Sequence, residues 1–251
     1  SSTDRAALVN GTAGTALEMD EGNLDAHGHP AIHVLPAVFA EAEADGLGVD
    51  EFIAAFVAGY EVAARVGAAS YPLASGYHPH GVWGAVGAAA GIARLKGYQT
   101  ETTLTAMRIA ANSAQHTRMS AAVEGATVRH TYAGMSALGG IIAAKMAQAG
   151  ITGLDNGVER HLFPTTAEGF AAEELGQALG ETWEITRGYF KGHAACRYTH
   201  PTLDAIANIQ AQTDVDVSTV HSVLVETYPE AASLTPATPK NPLQSKFSIP
   251  F

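Results

Sequence analysis

The sequence predicts a mainly α-helical domain over residues 1–180 followed by a smaller α+β domain over 181–251. Three observations carry this. Apolar residues in the first part recur close to the 3.6-residue period of a helix. A run of glycines and alanines three and four apart then suits a helix with close neighbours. Beyond about residue 180 the pattern turns to alternating and β-branched stretches that favour strands.

Residues 34–70 read as two helical pieces separated by Gly46 and Gly48, with Phe52, Ile53, Phe56, Val57, Tyr60 and Val62 at helical spacing. A third helix is predicted over 81–97, where Gly84, Gly87, Ala88 and Gly91 supply the small-residue face. Further helices are predicted over 101–116 and 133–149, the latter stopped by Gly150. "ETWEITRGYFK" (181–191) and "VHSVLVETY" (220–228) read as strands. Between them "PTLDAIANIQAQ" reads as a helix with Pro201 in its first turn and Leu203, Ile206 and Ile209 on one face.

Composition narrows the function. The 251 residues are 47% hydrophobic and 16% charged with a net charge of −11, which fits a folded globular chain. Such a balance disfavours nucleic acid and anionic membrane surfaces, since nothing here neutralises a row of phosphates. The most apolar run, "VWGAVGAAAGIA" at 82–93, is short of the roughly 20 residues that span a bilayer. The single cysteine excludes an intrachain disulfide and fits a reducing compartment. No basic-then-apolar stretch opens the sequence, and the expectation is a cytoplasmic protein.

Four stretches concentrate chemistry. "LEMDEGNLDAHGHPAIHVLPA" (17–37) sets Glu18, Asp20, Glu21 and Asp25 before His27, His29 and His33. Asp20, His29 and His33 could form a metal shell, although the spacing lacks the glutamate of the HExxH pattern. A histidine against carboxylates can equally act as an acid or base without metal, and a polar loop leading into a helix explains the same residues. "SGYHPHGVWGAVG" (75–87) places His78 and His80 at the mouth of a buried helix, whose positive end favours neutral imidazole; a plain cap is the alternative.

"VEGATVRHTYAGMSALGG" (123–140) carries Glu124, Arg129, His130 and Tyr132 before a helix. Arg129 suits bidentate capture of a carboxylate, or else a surface pairing with Glu124. "KGHAACRYTHPTLDA" (191–205) gathers Lys191, His193, Arg197 and His200 around Cys196. Lysine and arginine repel a metal cation, so this cluster reads as an anion pocket. Cys196 reads as a small packing residue rather than a nucleophile.

These stretches, with the terminal "SKFSIPF", stand in the order seen in the MmgE/PrpD family, which the chain resembles along essentially its whole length. That family includes 2-methylcitrate dehydratases, cis-aconitate decarboxylases and iminodisuccinate epimerase. The resemblance implies a helical domain with an α+β lid-like domain, a homodimer, and no metal or organic cofactor. It also implies a site between the domains for a di- or tricarboxylate. The family's acidic position falls on Glu18 or Asp20, its histidines on His29 and His78, and its lysine on Lys191. His27, His33 and His80 are not clearly matched. Where many relatives carry a lysine before the 133–149 helix, Val128-Arg129 stands here, so Arg129 is expected to take that contact. Gly22 replaces a frequent threonine, and a late tyrosine falls on Phe251. Family members also carry a helical segment before "LVNG" and a stretch after "FSIPF", so the α+β part is expected to be incomplete at its C-terminal end.

The expected chemistry is proton abstraction next to a carboxylate by His29 or His78, with Lys191 and Asp20 in the catalytic set. Lys191, Arg129 and Arg197, with Glu18, His130 and His200, are expected around the substrate. Loss of water is the first expectation, with epimerisation or decarboxylation as close alternatives. A metal-dependent hydrolase and a non-catalytic scaffold are the rivals from other classes.

Overall fold

The computed structural model describes residues 2–251, and among these the architecture is mainly helical. The helices are α1 (Thr3–Thr15), α2 (Pro30–Ala44), α3 (Val49–Ala69), α4 (Gly84–Leu95), α5 (Thr100–Asn112), α6 (Met119–Val123), α7 (Thr131–Gln148), α8 (Gly157–Leu162), α9 (His200–Gln212), α10 (Pro229–Ala232) and α11 (Pro242–Ser245). Two short strands, β1 (Gly22–Asn23) and β2 (Gly188–Tyr189), pair antiparallel.

The main core lies where α4 runs buried between α2, α3, α5 and α7. Every residue of α4 from Gly84 to Ala93 is buried. Small side chains permit this close approach: a Cβ on Gly87 would stand 2.4 Å from the Ala63 Cβ and 2.6 Å from the Gly59 carbonyl oxygen of α3. By length and hydropathy α3 alone, among the described residues, passes for a bilayer-crossing helix, yet 56% of that stretch is buried within the protein. A second, smaller core joins Ala122 of α6 to Cys196, Leu234, Leu243 and Phe247, which ties the C-terminal part of the chain to the helical body.

The strand expectations beyond residue 180 require correction. Residues 184–187 form a 3-10 turn and only Gly188–Tyr189 become strand. Side chains from the helical body capture the backbone there: the Glu184 N–H donates to Glu61 Oε2 at 2.7 Å, and Asn23 Nδ2 donates to the Glu184 carbonyl at 2.9 Å. "VHSVLVETY" is not in a sheet, because no neighbouring segment among the described residues pairs with it, and Val223 and Leu224 are exposed. The helix at 200–212 forms, with its apolar face of Leu203, Ile206 and Ile209 exposed.

The close approach of α3 and α4 is directly testable. Gly87→Ala is expected to destabilise the fold by about 1–3 kcal/mol through overpacking. Gly139→Ala in α7, where the new Cβ would meet only the Ala85 Cβ at 3.7 Å, is expected to be neutral or stabilising by about 0.5–1 kcal/mol. Thermal unfolding of the two variants checks this; equal effects would mean that α4 is not tightly packed.

Candidate active site

Four distant segments converge on one cavity of about 180 Å³. The loop between α1 and α2 contributes Glu18 and His29, and the loop before α4 contributes His78. Arg129 comes from the turn before α7, and Lys191 and Arg197 come from the segment after β2. Met119, Cys196, Tyr198 and Phe247, largely from the smaller core, supply an apolar wall. Asp20 lies fully buried beneath Lys191.

The charged groups form one continuous network. Lys191 Nζ donates to Asp20 Oδ1 at 3.0 Å and stands 3.8 Å from Glu18 Oε2. Arg129 Nη2 donates to the same Glu18 oxygen at 2.9 Å, while its Nε and Nη1 are buried without a partner. Buried guanidinium donors left unpaired are costly, and here they belong to a side chain that lines a cavity. Burial acts to raise the Asp20 pKa, but His29, His80 and Lys191 outweigh it and hold the carboxyl well below its ordinary range. Glu18 is pushed up to about 7, chiefly by burial, against the pull of Arg129.

Hydrogen-bond partners assign the histidine tautomers. His29 Nδ1–H donates to the Glu21 carbonyl oxygen, which leaves Nε2 with a free lone pair. The Glu21 side chain reinforces that turn, since its Oε1 accepts the Ala31 N–H at 2.7 Å at the start of α2. His78 is the opposite case: its Nδ1 accepts the His80 backbone N–H at 3.0 Å, so the neutral ring carries its proton on Nε2. His33 is saturated, donating from Nδ1 to the His29 carbonyl at 2.8 Å and accepting the Gly81 N–H on Nε2 at 3.2 Å. Burial pushes His29 and His33 down to about 4 and holds His78 and His80 well below their ordinary value.

Other anticipated residues fall elsewhere. His130, at the start of α7, and His200, at the start of α9, do not line this cavity; His200 Nε2 donates to the Ala195 carbonyl at 3.2 Å. Cys196 does line it, and burial pushes its thiol up to about 11, which is unsuited to a thiolate nucleophile. Arg197 is solvent-exposed at the mouth, its guanidinium 5.3 Å from the centre of the Tyr189 ring. His80 received little weight in the sequence, yet its Nε2 lies 3.2 Å from Asp20 Oδ2. Its separation from His78 by one proline was the available signal. Glu21 was visible only as one acid among several.

A metal shell of Asp20, His29 and His33 does not form, because both nitrogens of His33 are bonded to backbone. Donor atoms of Asp20, His29 and His80 do come within 4.8 Å of one another. That set fits a cation poorly, since Lys191 already holds the Asp20 carboxylate and His29 Nδ1 is committed to a carbonyl. A buried cavity with paired cations, ionised Asp20 and neutral imidazoles of opposite tautomer is equipped instead for proton transfer on an anion.

The family follows from comparison with known proteins. Residues 1–163 match the MmgE/PrpD N-terminal domain and residues 193–251 match the MmgE/PrpD C-terminal domain. The chain belongs to the MmgE/PrpD family. It is 32% identical over 225 residues to a cis-aconitate decarboxylase-like protein, oryM, of Aspergillus oryzae, covering 82% of this chain and 46% of that protein. It is 30% identical over 226 residues to a cis-aconitate decarboxylase of Aspergillus terreus, covering 82% of this chain and 45% of that one. The chain thus spans about half the length of the curated relatives it matches. Both of these relatives carry the name of a decarboxylase, a class of lyase.

The buried titratable groups set a pH profile of stability. His29, His33, His78 and His80 stay neutral when folded, so between about pH 4 and 6.5 the unfolded chain binds more protons and stability rises with pH. Glu18 and Glu21, pushed up to about 7 and about 8, bind protons more tightly when folded than when unfolded, so stability falls as pH rises from their ordinary 4.5 toward 8. Four rings outweigh two carboxyls below 6.5. Denaturant midpoints are therefore expected to climb to a maximum near pH 6.5 and decline toward pH 8. A midpoint that falls between pH 4.5 and 6.5 would mean that the rings are charged in the folded protein.

Proposed function

We propose that this chain carries the proton-transfer centre of a metal-independent lyase acting on a di- or tricarboxylate. The observation that supports it best is the pairing of opposite tautomers in one cation-lined cavity. His29 Nε2 can accept a proton from the carbon next to a carboxylate, and His78 Nε2–H can donate toward a departing group. Arg129, Lys191 and Arg197 face the substrate's negative charge, and Asp20 anchors Lys191. The reading takes the chain as a helical body and a lid-like α+β part with the cavity at their seam, assembled as a homodimer.

A base and an acid together suit the elimination of water, so a dehydratase acting on a 2-methylcitrate-like substrate is the first reading. Loss of carbon dioxide is the second, favoured by the relatives named cis-aconitate decarboxylase. It uses the same groups, with carbon protonated as the carboxylate leaves. Reprotonation of the abstracted position on its other face would give an epimerase.

Proton NMR in heavy water with EDTA present tests the reading, with 2-methylcitrate, citrate, cis-aconitate and iminodisuccinate as substrates. A dehydrated alkene supports the first reading, a decarboxylated alkene the second, and deuterium uptake without net product the epimerase. Activity lost to EDTA, or no change in any substrate, overturns the proposal. Within it, His29→Gln is expected to lower kcat by about 10²–10⁴ with little change in thermal stability. Arg197→Ala is expected to raise KM and leave kcat nearly unchanged. Lys191 is a poorer probe, because its removal strands buried Asp20 at a cost of about 3–5 kcal/mol in stability.

A further inference from the structure

Glu18 is held in an unusual way. Its backbone is in the left-handed region at φ 56°, a conformation that is strained for a non-glycine residue and persists where the surroundings impose it. Its side chain is buried, lines the cavity, and places Oε2 2.9 Å from Arg129 Nη2 and 3.8 Å from Lys191 Nζ, while Oε1 has no partner. These two cations are the groups a substrate carboxylate needs. Glu18 therefore makes the contact that an incoming anion would make, from inside the protein.

We propose that Glu18 is an internal stand-in for a substrate carboxylate, engaging Arg129 and Lys191 in the ligand-free protein and taking up one proton when the anion replaces it there. Two anionic carboxylates on one buried pair of cations repel each other, and protonating Glu18 turns it into a donor beside the new acceptor. The groups facing it account for the balance. Arg129 before α7, Lys191 after β2 and Lys246 after α11 favour its ionised form; Asp20 in its own loop opposes that form, and the Cys196 thiol lies nearby. With burial added, Glu18 titrates near neutral pH, so the proton is exchanged with solvent under ordinary conditions. His29 and His78 line the same cavity and are the other groups that could take a proton from solvent when an anion binds.

This inference rests on the anionic-substrate reading, and binding without turnover separates the two. Propane-1,2,3-tricarboxylate, an unreactive tricarboxylate, would be titrated calorimetrically into the full chain at pH 8 in buffers of differing ionisation enthalpy. The wild type is expected to take up about one proton per ligand, with the dissociation constant rising roughly tenfold per pH unit above pH 7. Glu18→Gln is expected to bind with uptake near zero and no such pH dependence. An infrared difference spectrum of the wild type, which needs no variant, should gain the C=O band of a protonated carboxyl group on binding. Binding with no proton uptake, or uptake that survives Glu18→Gln and so belongs to the histidines, overturns the inference and leaves the reading intact. Failure of the tricarboxylate to bind overturns both.

Discussion

The buried ion pair between Lys191 and Asp20 is the contact on which the site depends. It joins the loop after α1 to the segment after β2, and both side chains are almost wholly removed from water. Two charges buried at 3.0 Å hold a precise geometry only when their remaining donors and acceptors are also engaged. Here the other Asp20 oxygen stands 3.2 Å from His80 and 4.0 Å from His29, and Lys191 stands 3.8 Å from Glu18, which Arg129 also pairs. The pair thereby fixes the distance between the cations of the cavity and its imidazoles. The short β1–β2 pairing and the Asn23 and Glu61 contacts to Glu184 bring the 188–191 segment into register for it.

Around that pair the histidines divide their work. His33 spends both ring nitrogens on backbone groups and orients the loop that bears His29. His78 spends one nitrogen on the His80 N–H, and Thr117 fixes the same turn by donating to the carbonyls of His78 and His80 at 2.9 and 2.6 Å. His29 spends only Nδ1, on the Glu21 carbonyl, and so keeps a lone pair on Nε2 of a ring that lines the cavity. Burial keeps these rings neutral, which is the form a base requires.

Much of this was legible in the chain. Periodicity located α2–α5, α7 and α9 to within a few residues, and Glu18, Asp20, His29, His78, Arg129 and Lys191, which the fold brings together, could be singled out because family-like motifs recur in order around them. Four features were hidden, each for a tertiary reason. Helix α1 has little amphipathic pattern and is held instead by contacts such as Thr15 Oγ1 donating to the His130 carbonyl at 2.7 Å. The strand expected at 181–191 is truncated because distant Glu61 and Asn23 claim its backbone. The sequence could not rank His80 against His33, since both sit near prolines in histidine-rich loops; only the fold shows one against Asp20 and the other bound to backbone. Nor could it choose between His29 and His78 as base, a choice that turns on which nitrogen meets the backbone.

That last assignment is the central claim, and histidine ring nitrogens report it directly. Proton–nitrogen correlation spectra of uniformly 15N-labelled protein at neutral pH, with signals assigned by single substitutions, distinguish the two neutral tautomers and the charged ring. His29 is expected as the neutral Nδ1–H form with unprotonated Nε2, and His78 as the neutral Nε2–H form. A charged His29, or one protonated on Nε2, would contradict it.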